Sequence, residues 1–254
     1  MIALLPERPE DRRVIIALDE AAYHRCEYDD GAGHELLRAP HTWATPVPLP
    51  SLTRDHPVVQ GLLEQGRLNA GDVLLQSPFR FDDYEPAHTY AEEIAQHKHV
   101  LFSELCRRLG ARKITISVVT RESDEGSVSV DLSANKKLVK GSAKGARERV
   151  ESFASKLEMQ DDFEPLVDID AARQLLADNH LQSEPAFGNL LQARSGSGGT
   201  LLRRSYTMEA TREASTRLSL LAKIKMPMFV GAEGDFQKLS RQKESYRLTY
   251  VVDF

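Results

Sequence analysis

Two regions of the chain alternate apolar and polar residues with a period of two, and this pattern constrains the fold most strongly. In the first region Ile114, Ile116 and Val118 alternate with polar residues, and the alternation resumes after a polar turn over residues 128–134. Successive side chains of a strand point to opposite faces, so this segment has one buried face and one face in water. The sequence therefore predicts an amphipathic β-hairpin over about residues 112–134.

The second alternating region is at the C-terminal end of the sequence. Residues 206–210, 217–226 and 246–254 each place apolar side chains at every second position. One-sided strands of this kind are typical of antiparallel sheets that cover a core with one face. We therefore predict an antiparallel meander over about residues 200–254, joined to the hairpin in a single sheet.

Helical periodicity is clearest over residues 89–109. Thr89 and Glu92 have the spacing of a capping box, and Gly110 follows as a helix terminator. Apolar residues recur at helical spacing between these signals, which predicts a helix with one buried face. A second helical region is predicted over about residues 168–193, with Asp168 or Asp170 at its start. The predicted class is α+β, with these helices packed on one face of the antiparallel sheet.

Charge is distributed unevenly along the chain. Residues 1–110 hold 11 Lys and Arg against 18 Asp and Glu, which is a net −7, whereas residues 111–254 hold 22 against 20, a net +2. We predict a single α+β domain over residues 1–254. A sub-division into an acidic mixed α/β part (1–110) and a β-rich part (111–254) is the alternative.

Composition is that of an ordinary globular chain. It has 41% hydrophobic and 28% charged residues, without an apolar run near the roughly 18 residues that a membrane helix needs. The first residues lack a basic stretch followed by a long apolar one, so we expect no secretory signal. Cys26 and Cys106 are too few for a disulfide framework. We expect a cytoplasmic location.

Motifs for catalysis are missing from the sequence. It contains no GxSxG, no phosphate-binding GxxxxGK[ST] and no HExxH. A group of potential metal ligands does occur within residues 24–34: His24, Cys26, Asp29, Asp30 and His34. Because no zinc-binding signature accompanies them, we favour an ordinary surface turn and predict no metal and no cofactor. A metal-dependent hydrolase using this cluster is kept as an alternative.

One cationic cluster lies in residues 136–149: Lys136, Lys137, Lys140, Lys144, Arg147 and Arg149. A solvated turn is the preferred interpretation. The alternative is an anion-binding site for phosphate, nucleic acid or anionic lipid. No aromatic residue is interleaved with the cations, so stacking on single-stranded bases is not indicated.

An apolar turn interrupts the C-terminal region, where most turns are polar. We call it the interaction tip: Met226, Met228, Phe229 and Val230. The simplest interpretation is that it folds onto the core. The alternatives are contact with a partner protein or with a membrane, flanked by Lys223 and Lys225.

These observations favour a non-enzymatic assembly or protein-interaction protein that acts through oligomerisation or partner contact. A latent, membrane-directed pore-forming effector is one variant of this hypothesis, because such proteins extend amphipathic hairpins. A protein partner or self-association is expected first, and an anionic membrane second. The net charge of −5 argues against nucleic acid.

Overall fold

The computed structural model describes residues 4–29, 31–123, 126–132, 138–140, 144–157, 161–164, 167–195, 202–225, 227 and 245–254. They divide into two compact units. Unit 1 comprises the described residues of Met1–Tyr90 and Ala214–Gln242, and unit 2 those of Ala91–Glu213 and Lys243–Phe254. The single domain over residues 1–254 and the boundary at residue 110 both stay predictions.

Unit 1 is built on a four-stranded sheet with the order β2-β1-β3-β4. Its strands are β1 (Val14–Asp19), β2 (Thr42–Val47), β3 (Val73–Gln76) and β4 (Tyr84–Pro86). β1 and β2 are parallel, and the other pairs are antiparallel. Four helices accompany them: α1 (Glu20–Tyr28), α2 (Ala32–Leu37), α3 (Ser51–Arg54) and α4 (Pro57–Glu64). The run of apolar residues in β1 is buried from Val14 to Leu18, as expected for a central strand.

The core of unit 1 packs apolar residues of β1 and β3 against Trp43 of β2 and against α4. The packing of α1 against α2 depends on Gly33. A Cβ atom at Gly33 would lie 2.7 Å from the Cα of Cys26, which is closer than real Cβ contacts come. Glycine is therefore required where these two helices meet.

Unit 2 contains an antiparallel sheet with the order β7-β6-β5-β10-β9, and β8 also pairs with β5. The strands are β5 (Lys113–Ser123), β6 (Gly126–Asp131), β7 (Leu138–Lys140), β8 (Asp161–Asp162), β9 (Arg203–Glu209) and β10 (Ser245–Asp253). β5 and β6 form the hairpin predicted for residues 112–134, with Val119 opposite Val130. Residues 206–209 and 246–253 are strands, as predicted.

Helices cover one face of the unit 2 sheet. They are α5 (Tyr90–Arg108), α6 (Lys144–Leu157), α7 (Ile169–Asp178) and α8 (Pro185–Ser195). The ring of Phe102 on α5 lies 4.6 Å from that of Tyr250 and 5.4 Å from that of Phe187 on α8. Phe153 of α6 lies 4.5 Å from Tyr246. The predicted α+β class, with helices near 89–109 and 168–193 on an antiparallel sheet, is confirmed.

The strand predicted over residues 217–226 is wrong, because Arg212–Leu221 forms helix α9. Ala214 and Leu221 are buried, two helical turns apart, and Leu218 lies between them at helical spacing. A short apolar run satisfies both periods, so the alternation there did not distinguish a strand from a helix. The described part of the meander therefore consists of two strands, β9 and β10, which pair with each other directly.

Candidate functional site

Strand β9 lies at one end of the unit 2 sheet. Among the described strands only β10 pairs with it, in an unbroken register from Arg203, opposite Asp253, to Glu209, opposite Arg247. The unpaired side of such a strand is a template for pairing with another strand. β9 contains no proline, which is one common way of blocking an edge.

Hydrogen bonds identify which residues of β9 face outward. The N–H of Ala210 donates to the Tyr246 carbonyl oxygen at 2.7 Å, and the N–H of Phe254 donates to the Leu202 carbonyl oxygen at 2.9 Å. In an antiparallel ladder, alternate residues direct their main-chain groups to the neighbouring strand. Even-numbered residues of β9 therefore bond to β10. The main-chain groups of Arg203, Ser205, Thr207 and Glu209 point to the open side.

We call these four outward residues the β9 edge. Their side chains are all exposed, whereas those of Tyr206 and Met208 between them are buried. The two ends carry opposite charges, with Arg203 at one and Glu209 at the other. Arg203 Nε lies 3.4 Å from the Asp253 carboxylate, and Asp253 in turn is opposite Lys113 of β5.

A buried charge cluster holds the Glu209 end of the edge. Lys98 of α5 is fully buried, and its Nζ donates to the Glu209 carbonyl oxygen at 2.8 Å. The same Nζ lies 3.0 Å from the Glu213 carboxylate and 3.2 Å from that of Glu184. Burial raises the pKa of Glu184, and the charge of Lys98 opposes that rise. Lys98 therefore fixes the end of β9 and occupies one carbonyl of the edge, leaving its centre to other partners.

The sheet face opposite the helices is polar. Its hydroxyl groups bond across strands: Thr120 to Ser129 at 2.9 Å, and Thr207 to Thr249 at 3.3 Å. The described positions of this face on β5, β6, β9 and β10 hold no aromatic side chain.

The predicted binding residues fall largely outside the described residues. The interaction tip (Met226, Met228, Phe229 and Val230) lies wholly outside them, as do Lys136 and Lys137. Lys140 lies in β7 and Lys144 in α6, but their side chains are not among those described. Both roles, partner contact and anion binding, stay predictions for these residues.

Arg147 and Arg149 are the members of the cationic cluster whose side chains are described. Both are exposed on α6. Arg147 Nε lies 3.1 Å from the Glu151 carboxylate, and Arg149 also interacts with another group. Neither guanidinium therefore stands as an isolated positive charge.

Residues 24–34 are used in local structure. His24 Nδ1 lies 2.9 Å from the Glu27 carboxylate, and Asp29 accepts bonds from the N–H groups of Gly31 and Gly33. Asp30 is not described. In the part of the chain that the structure covers, no three His, Cys, Asp or Glu side chains are grouped to hold a metal ion.

Both cysteines are buried and free. Burial raises the pKa of Cys26 to about 11, with a further contribution from the charge of Asp29. Burial likewise raises the pKa of Cys106. A thiol with a raised pKa holds its proton at neutral pH, so neither cysteine resembles an activated nucleophile.

Comparison with known proteins yields no relative. No protein-family model matches the chain, and neither a curated protein nor a solved structure matches it. No helix within the described segments is long and apolar enough to span a bilayer. Function therefore has to be inferred from the geometry of the chain's own residues. Of these, the β9 edge was missed by the sequence reasoning, although the alternation of residues 206–210 marks the strand itself.

Proposed function

We propose that this chain is a non-enzymatic assembly protein that self-associates by pairing the β9 edges of two copies. The observation that carries the proposal is the outward direction of the main-chain groups of Arg203, Ser205, Thr207 and Glu209 on a strand with exposed side chains. Adding a strand to such an edge pairs main-chain donors and acceptors that no described strand pairs. The carbonyl oxygen of Glu209 is the exception, because it already accepts a bond from Lys98. The two sheets then continue into one another.

The charges at the two ends select an antiparallel register with a twofold axis at Tyr206. In that register Ser205 of one copy is opposite Thr207 of the other, which provides about four main-chain hydrogen bonds at the centre. Arg203 of each copy is then opposite Glu209 of its partner. Shifting the strands by two residues keeps the main-chain bonds but separates these opposite charges.

Neighbouring strands extend this complementarity. Lys113, Asp253 and Arg203 form one cross-strand row, and Glu209 and Arg247 form another. In the proposed dimer the two rows join, so that signs alternate from Lys113 of one copy to Arg247 of the other. Opposite charges across a sheet stabilise the pairing modestly, whereas like charges directly opposite destabilise it. We infer that the main chain supplies affinity and that the charges set the register.

A charge-exchange experiment tests this assignment. Arg203→Glu and Glu209→Arg each place like charges at both ends of the dimer, so each variant alone should self-associate about tenfold more weakly than the natural chain. An equimolar mixture of the two variants regains opposite charges at both ends. We therefore expect the mixture to form mixed dimers with affinity near that of the natural chain, measured by sedimentation equilibrium.

Arg212→Glu is the matched control, because it makes the same charge change at an exposed position of α9, outside the rows. It should leave self-association unchanged. The register would be refuted by a mixture that associates as weakly as its components. The wider proposal would be refuted by a natural chain that stays monomeric at all concentrations.

A further inference from the structure

Two carboxylates share one buried ammonium group beside the β9 edge. Lys98 Nζ lies 3.2 Å from the Glu184 carboxylate and 3.0 Å from the Glu213 carboxylate. It also donates to the Glu209 carbonyl oxygen at 2.8 Å. An ammonium group has three donors, so these three acceptors use all of them. We call Lys98, Glu184, Glu213 and the Glu209 carbonyl group the Lys98 cluster.

The charges of the Lys98 cluster do not balance when both carboxylates are ionised. The side chain of Lys98 is fully buried, that of Glu184 is 8% exposed and that of Glu213 is 26% exposed. One ammonium group therefore faces two carboxylates in a place that water hardly reaches. An uncompensated charge in such surroundings is costly, and one added proton removes it.

Glu184 is the member of the cluster that takes up this proton. It is the more buried of the two carboxylates, and burial raises its pKa. Both carboxylates contact the same nitrogen atom, so a protonated Glu184 lies beside the Glu213 carboxylate and can donate to it. The protonated cluster is neutral, and each of its groups has a hydrogen-bond partner.

Within the described residues, the charges that act on Glu184 are those of the other two side chains of the cluster, on α5 and α9. The helix that follows Glu184, α8, has no charged residue before Arg194. His99 is the neighbour of Lys98 on α5, but its Nδ1 lies 3.1 Å from the Tyr250 hydroxyl, at a different place on the helix surface. The proton balance of the cluster is therefore set by its own three side chains.

The cluster also holds the corner at which β9 ends and α9 begins. Glu209 is the last residue of β9, and Glu213 lies in the first turn of α9. Between them, the N–H of Ala210 donates to the Tyr246 carbonyl oxygen at 2.7 Å. The corner is thus tied to β10 by its main chain and to α5 by Lys98.

Ionisation of Glu184 sets two carboxylates against each other within this corner. Glu213 is the more exposed of the two, so it is the side chain that can move into water. Lys98 then loses one of its three acceptors, and the first turn of α9 loses its link to α5. We expect the Glu209 end of the β9 edge to become less ordered as a result.

We propose that the Lys98 cluster is a pH-sensitive switch that strengthens pairing of the β9 edge in mild acid and weakens it at alkaline pH. This regulation rests on the proposed self-association. The protonated cluster holds the end of the edge in place, so pairing has less chain to order. Because the state that pairs more tightly is the one that binds the proton, pairing in turn favours protonation of the cluster.

The direction of the shift defines the pH window. The pKa of Glu184 is raised from 4.5 in the folded chain, mainly by burial. A group with a raised pKa contributes stability that is fully present below its ordinary pKa and is lost as pH rises through the raised pKa. The switch therefore operates above pH 4.5.

Sedimentation equilibrium between about pH 5 and about pH 8, at constant ionic strength, tests the switch. The natural chain should self-associate about fivefold or more tightly at the lower pH. Glu184→Gln has the shape of a protonated glutamate and does not ionise, so it should pair at both pH values as the natural chain does in mild acid. Glu213→Gln leaves one carboxylate for one ammonium group, so its pairing should also lose the pH dependence.

Glu93→Gln is the control, because it removes one carboxylate from α5 outside the cluster and should keep the pH dependence of the natural chain. If Glu213→Gln fails to fold, as judged by circular dichroism, Glu184→Gln still carries the test. A natural chain that dimerises equally tightly at both pH values, or a Glu184→Gln variant that keeps the full pH dependence, would overturn the switch and leave the proposed function standing. A natural chain that is monomeric at both pH values would overturn the two together.

Discussion

Glu104 of α5 has an environment opposite to that of the buried Glu184. Hydrogen bonds from Arg107, and then from Arg108, lower the pKa of Glu104 from 4.5 to about 2. The oxygen–nitrogen distances of these pairs are 2.7 Å. Glu104 therefore prefers to be ionised in the folded chain, whereas burial makes Glu184 resist ionisation. Protonation in acid therefore removes a stabilising contribution of Glu104, whereas protonation of Glu184 relieves the cost of burying its charge.

Glu104→Gln should change how stability depends on pH. A carboxylate whose pKa is lowered by folding stabilises the folded state above its ordinary pKa, and loses this contribution as it becomes protonated. The stability difference between the natural chain and Glu104→Gln should therefore shrink as pH falls from about 4.5 towards about 2. Urea unfolding at a series of pH values measures it, with Glu93→Gln as the control for losing one charge from α5. A difference that stays constant over this pH range would contradict the assignment.

At the scale of the element, α5 is the helix whose buried face organises unit 2. Leu105 is fully buried, whereas Val100 on the same helix is 53% exposed. Leu105→Ala should reduce the free energy of unfolding by about 2–5 kcal/mol, through lost transfer energy and the cavity left behind. Val100→Ala is a matched apolar control and should change it by no more than about 0.5 kcal/mol. Similar losses in both variants, measured by denaturant unfolding, would be inconsistent with this packing.

Elements with long, regular patterns were predictable from sequence. α5 has a stripe of apolar residues over five turns and Gly110 behind it, and the hairpin β5–β6 alternates on both strands. The segment 217–226 offered only a few alternating residues, and tertiary packing of Ala214 and Leu221 made its first half helical. The spacing of apolar residues alone does not distinguish a strand from a helix in such a short run.

The candidate sites were less predictable, for a physical reason. The β9 edge is defined by its position at the end of the sheet order, and alternation gives no sign of which strand is outermost. From the sequence alone Lys98 is a polar residue expected on the exposed side of a helix. It can be buried because the Glu184 and Glu213 carboxylates pair with its ammonium group.

At the scale of the whole molecule, we propose that two copies join through their β9 edges. Thr207→Pro changes only the outward side of this edge. The N–H of Thr207 points away from β10, so proline removes an outward donor without removing a bond of the β9–β10 ladder. Thr207→Ala keeps the N–H and is the control for loss of the side chain.

Sedimentation velocity over a range of concentrations is the most direct measurement. We predict that the natural chain and Thr207→Ala approach twice the chain mass of 28.4 kDa as concentration rises, while Thr207→Pro sediments as a folded monomer. Circular dichroism and the Tm establish that the proline variant is folded. A natural chain that remains at the mass of one copy, or a Thr207→Pro variant that dimerises as strongly as the natural chain, would contradict the claim.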